Sequence, residues 1–295
     1  MTSCARNRSG DAMRYVNFSP DGRQRLLGVL QDSTIVSLGE ATLEQLLADG
    51  VDLVDYAAKH QAAGREYAAD KVTWLPPLTR PGKIICVGLN YADHTKESPY
   101  EQPDYPTLFP RFTTSLIGHG APMVRPLVSD SLDFEGEMAV VLKAGGRHIP
   151  QAKALECVAG YSLFNDGSVR EYQFKAPQWT VGKNFDGTGA FGPTLVTADE
   201  VPAGGKGLKL ETRLNGKVVQ SANTDDMLFD VATLIAVISE AITLEAGDVI
   251  VSGTPAGIGW AREPKLIMRD GDVCEVEIEG LGVLRNVVRD EAPQR

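Results

Sequence analysis

The sequence is organised around Asp133-Phe134-Glu135-Gly136-Glu137, which runs directly into Met138-Ala139-Val140-Val141-Leu142. The five consecutive apolar residues predict a strand that is buried on both faces. Residues two apart on a strand share a face, so the carboxylates of Glu135 and Glu137 point the same way, about 7 Å apart. Such a pair is costly to bury unless a cation or strong donors compensate. The pair is either a site for a hard metal ion such as magnesium, manganese or calcium, or a solvated pair at a strand end, and these residues alone leave both interpretations open.

A second acidic stretch, Cys274-Glu275-Val276-Glu277-Ile278-Glu279, provides an internal comparison. Its apolar residues alternate strictly with glutamates, which predicts a half-exposed antiparallel strand with one buried and one solvated face. No buried run follows it. We therefore interpret these glutamates as structural.

The overall composition limits the class of ligand. The chain has 295 residues, enough for one large domain or a main domain with a small companion. Its formal net charge of −10 argues against nucleic acid or an anionic membrane as a partner. No apolar stretch reaches the roughly 20 residues that cross a bilayer. The four widely spaced cysteines predict reduced thiols in a cytoplasmic protein.

The domain boundary is predicted at the proline-rich residues 72–81. We expect a disordered tail at 1–12, a small N-terminal α/β domain at 13–80 and the main domain at 81–295. The N-terminal domain should contain three short strands at 13–18, 26–30 and 34–38, followed by a helical stretch at 42–60 that Gly50 interrupts.

Two residues after the strand predicted at 83–89 offer proton chemistry. His94 and Glu97 are three apart, so a short helix would place them on one face. A histidine held by a carboxylate keeps one tautomer and gains basicity, which suits a general base for water. A surface pair is the alternative. The following residues 98–110 contain four prolines and no apolar period, which predicts a surface loop that could act as a lid.

Further polar residues follow the next buried strands. Asp166 lies just after the strand predicted at 158–164, where it could be a third metal ligand or part of an Asx turn that ends the strand. Lys183 is either solvated or an anion binder in an apolar cleft. The glycine-rich segment 252–259 lacks the Gly-Lys-Ser/Thr of a phosphate loop, and the Thr254 hydroxyl is better suited to lining a small-ligand pocket.

Taken in order, these motifs resemble those of the fumarylacetoacetate hydrolase family. They comprise G-x-N-Y-A-D-H with Glu three residues later, D-x-E-x-E before an apolar strand, N-D at the end of the next strand, G-K-x-F-D, and G-D-V-I-x-S-G-T-P-x-G-x-G. The resemblance extends over roughly residues 81–288. It implies an α+β, mainly β fold, a mixed β-sandwich roll with flanking helices that typically forms a homodimer.

The resemblance also implies roles for individual residues. A divalent metal, magnesium or manganese, would lie on Glu135, Glu137 and Asp166. His94 and Glu97 would form a water-activating dyad. Lys183 would stabilise negative charge. Arg170, Gln173 and Thr254 would hold a keto acid.

The reaction implied is metal-dependent hydrolysis of the C–C bond of a 1,3-diketo acid. The substrate would be an acylpyruvate such as maleylpyruvate or fumarylpyruvate, from the breakdown of aromatic compounds. Hydroxide would attack the distal carbonyl and leave a pyruvate enolate. The alternatives are oxaloacetate decarboxylation or 2-hydroxy-dienoate isomerisation on the same metal site, or a keto-acid binder without catalysis.

The chain departs from the family pattern near the expected pocket. Where relatives often read N-D-W-S-A-R, this chain has Gly167 and Val169. Arg111 stands where many relatives have lysine. These differences leave the substrate open.

Overall fold

The computed structural model describes residues 13–97 and 101–293, which form nineteen strands and six α-helices. The predicted tail at 1–12, with Cys4, lies outside the described residues. The first elements are β1 (Arg14–Ser19), β2 (Leu26–Gln31), β3 (Thr34–Gly39), α1 (Leu43–Ala48), α2 (Leu53–His60), β4 (Glu66–Ala68) and β5 (Thr73–Trp74). The central elements are β6 (Ile84–Gly88), α3 (Ala92–Glu97), β7 (Thr107–Pro110), β8 (Leu116–Ile117), β9 (Met123–Arg125), β10 (Leu132–Asp133), β11 (Gly136–Leu142), α4 (Gln151–Ala154), β12 (Val158–Asp166), β13 (Ser168–Val169), α5 (Arg170–Gln173) and β14 (Gly189–Thr197). The last elements are β15 (Lys209–Leu214), β16 (Lys217–Asn223), α6 (Val231–Ala241), β17 (Val249–Val251), β18 (Val273–Ile278) and β19 (Gly282–Asp290).

The strands form two main sheets and one isolated pair. The large sheet has twelve strands in the order β4-β3-β2-β1-β14-β12-β11-β17-β6-β7, with β5 added to β1 and β8 added to β14. The small sheet has five strands in the order β16-β15-β18-β19-β9, and β10 pairs with β13. This mixed, mainly β architecture with flanking helices confirms the predicted fold class.

Strand β11 lies between two apolar cores, which explains its unbroken apolar run. Met138, Val140 and Leu142 face the core that is shared with the small sheet and α6. Ala139 and Val141 face the opposite core, which is shared with α1 and α2. All seven residues of the strand are buried, as the sequence predicts. The face that carries Ala139 and Val141 also carries Glu137, because strand residues alternate.

The N-terminal strands continue the large sheet. Strand β1 pairs antiparallel with β14, with Tyr15 opposite Leu195. Residues from both sides of the predicted boundary at 80 also contribute to one core, among them Tyr15, Leu43 and Val249. The division into 13–80 and 81–295 stays a prediction.

Gly50 interrupts the helical stretch at 42–60 as predicted, and the stretch forms two helices, separated where Gly50 adopts a φ of 66°, a conformation that favours glycine. Another local prediction needs correction. The loop predicted at 98–110 ends earlier in its described part, because Thr107–Pro110 forms β7 on the edge of β6. Residues 98–100 of that prediction lie outside the described residues. Phe109 is buried in β7, a position that the proline-rich composition of the segment did not predict.

The comparison strand behaves as predicted. In β18 the side chains of Cys274, Val276 and Ile278 are buried, while Glu275 and Glu277 are partly exposed. Cys86, Cys157 and Cys274, the cysteines within the described residues, form no disulfide.

Candidate active site and metal centre

The register between β11 and β12 brings three carboxylates together. Glu137 lies opposite Phe164 and Gly136 opposite Asn165, so Glu135 lies opposite Asp166. The Asp166 amide donates to the Glu135 carbonyl at 2.8 Å. One carboxylate oxygen from each of Glu135, Glu137 and Asp166 lies within 4.8 Å of the other two, and all three side chains are buried. A divalent metal could be held by this group.

Two cations already contact Glu135. Lys183 Nζ lies 2.6 Å from Glu135 Oε2 and 2.6 Å from Asp166 Oδ2. Arg170 Nη1 lies 2.6 Å from Glu135 Oε1. Burial by itself would raise the pKa of Glu135, but Lys183 and then Arg170 outweigh it and hold that pKa below its ordinary value. Burial would likewise lower the pKa of Lys183, but Asp166 and Glu135 raise it, so the lysine stays charged.

Glu137 is in a different electrostatic position. Its Oε2 accepts a hydrogen bond from the Gly253 amide at 2.5 Å. Burial, followed by the charges of Asp166 and Glu135, raises the pKa of Glu137 well above its ordinary value. A divalent cation among the three carboxylates would remove this cost, and oxygen donors are those that magnesium and manganese prefer. The donor set therefore fits the metal implied by the resemblance.

Arg170 is held by a residue to which the sequence analysis gave no role. Asp133 is fully buried, and its Oδ2 accepts from Arg170 Nε at 2.9 Å. Its two oxygens also accept from the amides of Gly259 and Trp260, at 2.8 and 2.9 Å. Arg170 Nη1 donates to Gln173 Oε1 at 2.8 Å. Asp133 therefore connects the glycine-rich loop to Arg170. Its position as the first residue of the D-x-E-x-E motif is the sequence feature that could have indicated this role.

His94 and Glu97 form the predicted pair on α3. His94 Nδ1 lies 2.9 Å from Glu97 Oε1, and the other oxygen of Glu97 accepts from the Gly257 amide at 2.9 Å. The carboxylate is thus fixed between the helix and the loop. Because Nδ1 is engaged by Glu97, Nε2 is the ring nitrogen that remains for proton exchange.

Thr254 is bonded within the protein. Its hydroxyl donates to the Gly136 carbonyl at 3.0 Å and accepts from Gln220 Nε2 at 2.8 Å. Gln220 also accepts from the Gly136 amide at 3.0 Å. These bonds fix the start of β11 against the glycine-rich loop.

One cavity joins these groups. One wall is charged and polar, with the carboxylates of Glu135 and Glu137 beside Lys183. The rest includes four aromatic side chains, namely Phe109, Phe174, Trp179 and Trp260. Trp179 packs on the bare backbone of Gly88, where a Cβ would lie 2.3 Å from the indole Cζ3. Its ring meets Phe109 edge to face, with centroids 5.5 Å apart.

The structure brings all nine residues predicted for the site to one place. Eight line the cavity, and these are His94, Glu97, Glu135, Glu137, Arg170, Gln173, Lys183 and Thr254. Asp166 is fully buried and contacts Lys183. Their assigned roles stay predictions. Sequence reasoning missed the aromatic wall and left the role of Arg111 open.

Comparison with known proteins identifies the family. The model described as fumarylacetoacetate (FAA) hydrolase C-terminal matches residues 83–289. The chain belongs to the fumarylacetoacetate hydrolase family. Members use divalent metals, in agreement with the carboxylate group described above.

Individual relatives in the fumarylacetoacetate hydrolase family differ in their named reactions. The chain is 40% identical over 263 residues to oxaloacetate tautomerase Fahd2a, mitochondrial, of Rattus norvegicus, covering 88% of this chain and 84% of that protein. A fumarylacetoacetate hydrolase structure from Exiguobacterium antarcticum matches with a TM-score of 0.82 at 36% identity, covering 95% of this chain and 100% of that one. The maleylpyruvate hydrolase structure from Sphingobium sp. SYK-6 matches with a TM-score of 0.80 at 25% identity, with the same coverage.

In the described part of the chain, no helix combines the length and apolar character needed to span a bilayer. The predicted cytoplasmic location and homodimer stay predictions.

Proposed function

We propose that this protein catalyses enol–keto tautomerisation of a small 2-oxo dicarboxylic acid of the oxaloacetate class. The observation that carries the proposal is that His94, fixed by Glu97, and Lys183 line the same cavity. A proton carrier and a charge stabiliser are the two groups that a proton shift next to a carbonyl requires. The similarity to the rat tautomerase, along 84% of that protein, supports this reaction ahead of the hydrolysis that the motifs first implied.

The proton shift balances without any other reactant. The enol loses the proton of its C2 hydroxyl and gains a proton at C3, so the C2–C3 double bond becomes a C2 carbonyl. His94 Nε2 exchanges the proton, while Glu97 stabilises the imidazolium through Nδ1. Lys183 stabilises negative charge at the C2 oxygen. Isomerisation of a 2-hydroxy-dienoate is the same kind of shift, extended over a longer conjugated chain.

The remaining residues bind and orient the acid. Glu135, Glu137 and Asp166 would hold a divalent metal, which supplies a Lewis acid for the 2-oxo acid oxygens. Arg170 and Gln173 stand at the charged wall, where a substrate carboxylate would be neutralised. Thr254 holds the glycine-rich loop against the start of β11 through its hydrogen bonds to Gly136 and Gln220. Magnesium and manganese are the metals we propose.

Hydrolysis of an acylpyruvate is a second candidate, and the cavity itself favours it. Phe109, Trp179 and Trp260 line the cavity together with the charged groups and give it an apolar wall. That wall suits the acyl group of a 1,3-diketo acid, such as maleylpyruvate or fumarylpyruvate from aromatic catabolism. His94 would then take the proton from water, which attacks the distal carbonyl.

The two reactions can be separated on one protein preparation with magnesium or manganese. Loss of enol absorbance from oxaloacetate measures tautomerisation, and coupled detection of pyruvate measures acylpyruvate hydrolysis or decarboxylation. We expect enol loss far above the uncatalysed rate and no pyruvate release from oxaloacetate. Enol loss at the uncatalysed rate, with pyruvate released from an acylpyruvate, would replace the first proposal by the second. Metal-dependent binding of all these acids without turnover would favour a keto-acid binder.

The variant His94→Asn tests the proton carrier. We expect it to lower kcat by about 10²–10⁴-fold, the usual contribution of a general base. His148→Asn is the matched control, because His148 is exposed and has a φ of 55°, a conformation that asparagine tolerates. Equal activity of both variants would exclude His94 as the proton carrier.

A further inference from the structure

We propose that Arg111 is a positioning residue for the metal site, which holds the Asp166 carboxylate so that Oδ2 is the oxygen presented beside Glu135. Arg111 follows β7 and is only 3% exposed, although it bears a full positive charge. It does not line the cavity, so it acts through Asp166 and not on the substrate.

The guanidinium is fixed by partners on every side. Its Nε donates to Ser115 Oγ at 3.2 Å and its Nη2 donates to Thr188 Oγ1 at 2.8 Å. Its Nη1 donates to the Gly167 carbonyl at 3.3 Å and to Asp166 Oδ1. All three nitrogens of the planar fork are thereby engaged. A lysine has a single ammonium and could not occupy these separate directions at once.

The fold provides a flat recess for this planar group. A Cβ on Gly189 would lie 3.0 Å from Arg111 Cζ, so the guanidinium lies against backbone at a position without a side chain. The Phe164 ring centroid is 5.7 Å from Arg111 Cζ. Gly189 pairs with Asp166 across β12 and β14, so the recess and the carboxylate are parts of the same sheet register.

The two oxygens of Asp166 therefore have different partners. Oδ1 is bound by Arg111, and Oδ2 is 2.6 Å from Lys183 Nζ, which also contacts Glu135 Oε2. Since Arg111 is anchored by Ser115 and Thr188, Oδ1 cannot rotate toward Glu135 without breaking a buried, charge-assisted bond. Groups that orient a ligand in this way typically change metal affinity 10–100-fold when they are removed.

The inference rests on the metal part of the proposed function and is independent of the reaction. It is tested by calorimetric titration of Mn²⁺ into the full-length protein after removal of metal by chelator, with Mg²⁺ as a second titrant. Arg111→Lys keeps the positive charge but removes the planar guanidinium. Thr188→Val keeps the charge and the guanidinium but removes the hydroxyl that accepts from Arg111 Nη2. Arg125→Met is the control, because Arg125 also pairs with aspartates but is partly exposed, and its partners Asp130 and Asp290 are exposed.

We expect Arg111→Lys to raise the Kd for Mn²⁺ by about tenfold or more and Thr188→Val to raise it severalfold, while Arg125→Met stays within about twofold of the unchanged protein. Thermal melting of each metal-free variant separates this effect from loss of folding. Thr188→Val carries the test if Arg111→Lys does not fold.

An unchanged Kd for Mn²⁺ in folded Arg111→Lys and Thr188→Val would overturn the inference. A failure of Mn²⁺ and Mg²⁺ to bind the unchanged protein would overturn the metal site itself, whereas normal metal binding without tautomerisation would overturn only the reaction.

Discussion

Lys183 Nζ lies 2.6 Å from Glu135 Oε2, and both side chains are almost completely buried. The same lysine reaches Asp166, so two buried carboxylates share one ammonium group. In the protein without metal, Lys183 compensates the negative charge of two carboxylates that we propose as metal ligands. Removing one member of a buried ion pair leaves an uncompensated charge, which is far more costly than loss of a surface pair.

The first prediction concerns the stability of the metal-free protein. Lys183→Met should lower the free energy of unfolding by about 3 kcal/mol, because Glu135 and Asp166 lose their shared cation. Urea unfolding in the presence of chelator measures this. Lys206→Met is the control, since Lys206 pairs with Asp230 at the surface and should matter little. Equal effects of the two substitutions would contradict the stabilising role of Lys183.

The second prediction concerns pH. Folding raises the pKa of Glu137, so its contribution is most favourable below the pKa of the unfolded chain, about 4.3, and is lost as pH rises toward the folded value. Glu137→Gln removes this titration. We expect the variant to be more stable than the unchanged protein at pH 7 by roughly 1–3 kcal/mol without metal, and the difference to vanish near pH 4.

Glu135 provides the opposite sign within the same experiment. Its folded pKa is lowered, so its contribution is present above the unfolded pKa and is lost as pH falls through the folded value. Glu135→Gln should therefore destabilise the metal-free protein at pH 7. Chemical unfolding between pH 4 and pH 8 tests both variants, and a stability change of the same sign would refute the assignment.

The third prediction concerns metal content. Glu135→Gln should lower the metal bound after purification without chelator by about tenfold or more, as measured by elemental analysis. Glu279→Gln is the matched control on the comparison stretch, where the side chain is exposed. If the two variants retain equal metal, the carboxylate group is not the metal site.

The fourth prediction concerns the aromatic wall. Gly88→Ala should push the Trp179 ring into the cavity and raise KM about tenfold, because the new Cβ would lie 2.3 Å from the indole. Trp179→Phe removes the clashing ring, so the double variant should recover most of the loss. Additive effects in this double-mutant cycle would show that the two positions act separately.

Much of the fold followed from local pattern. The run at 138–142 predicted a strand buried on both faces, and the alternation at 274–279 predicted a strand with one wet face; the structure confirms both. Strand β7 was missed because four prolines dominate residues 98–110, and pairing with β6 is a tertiary event that local composition does not report. The break in the helical stretch at Gly50 was visible as an interruption, but its geometry was not.

The sequence by itself determined the acidic strand, the His94 spacing and the order of the motifs, because strand and helix periodicity act over a few residues. Only the tertiary structure decided that Asp166 lies opposite Glu135, that Lys183 lies between them, and that Arg111 binds the far oxygen of Asp166. Those contacts join residues 17 to 55 positions apart. Their partners are selected by sheet register and by the cost of burying an unpaired charge, neither of which is encoded in any single stretch of sequence.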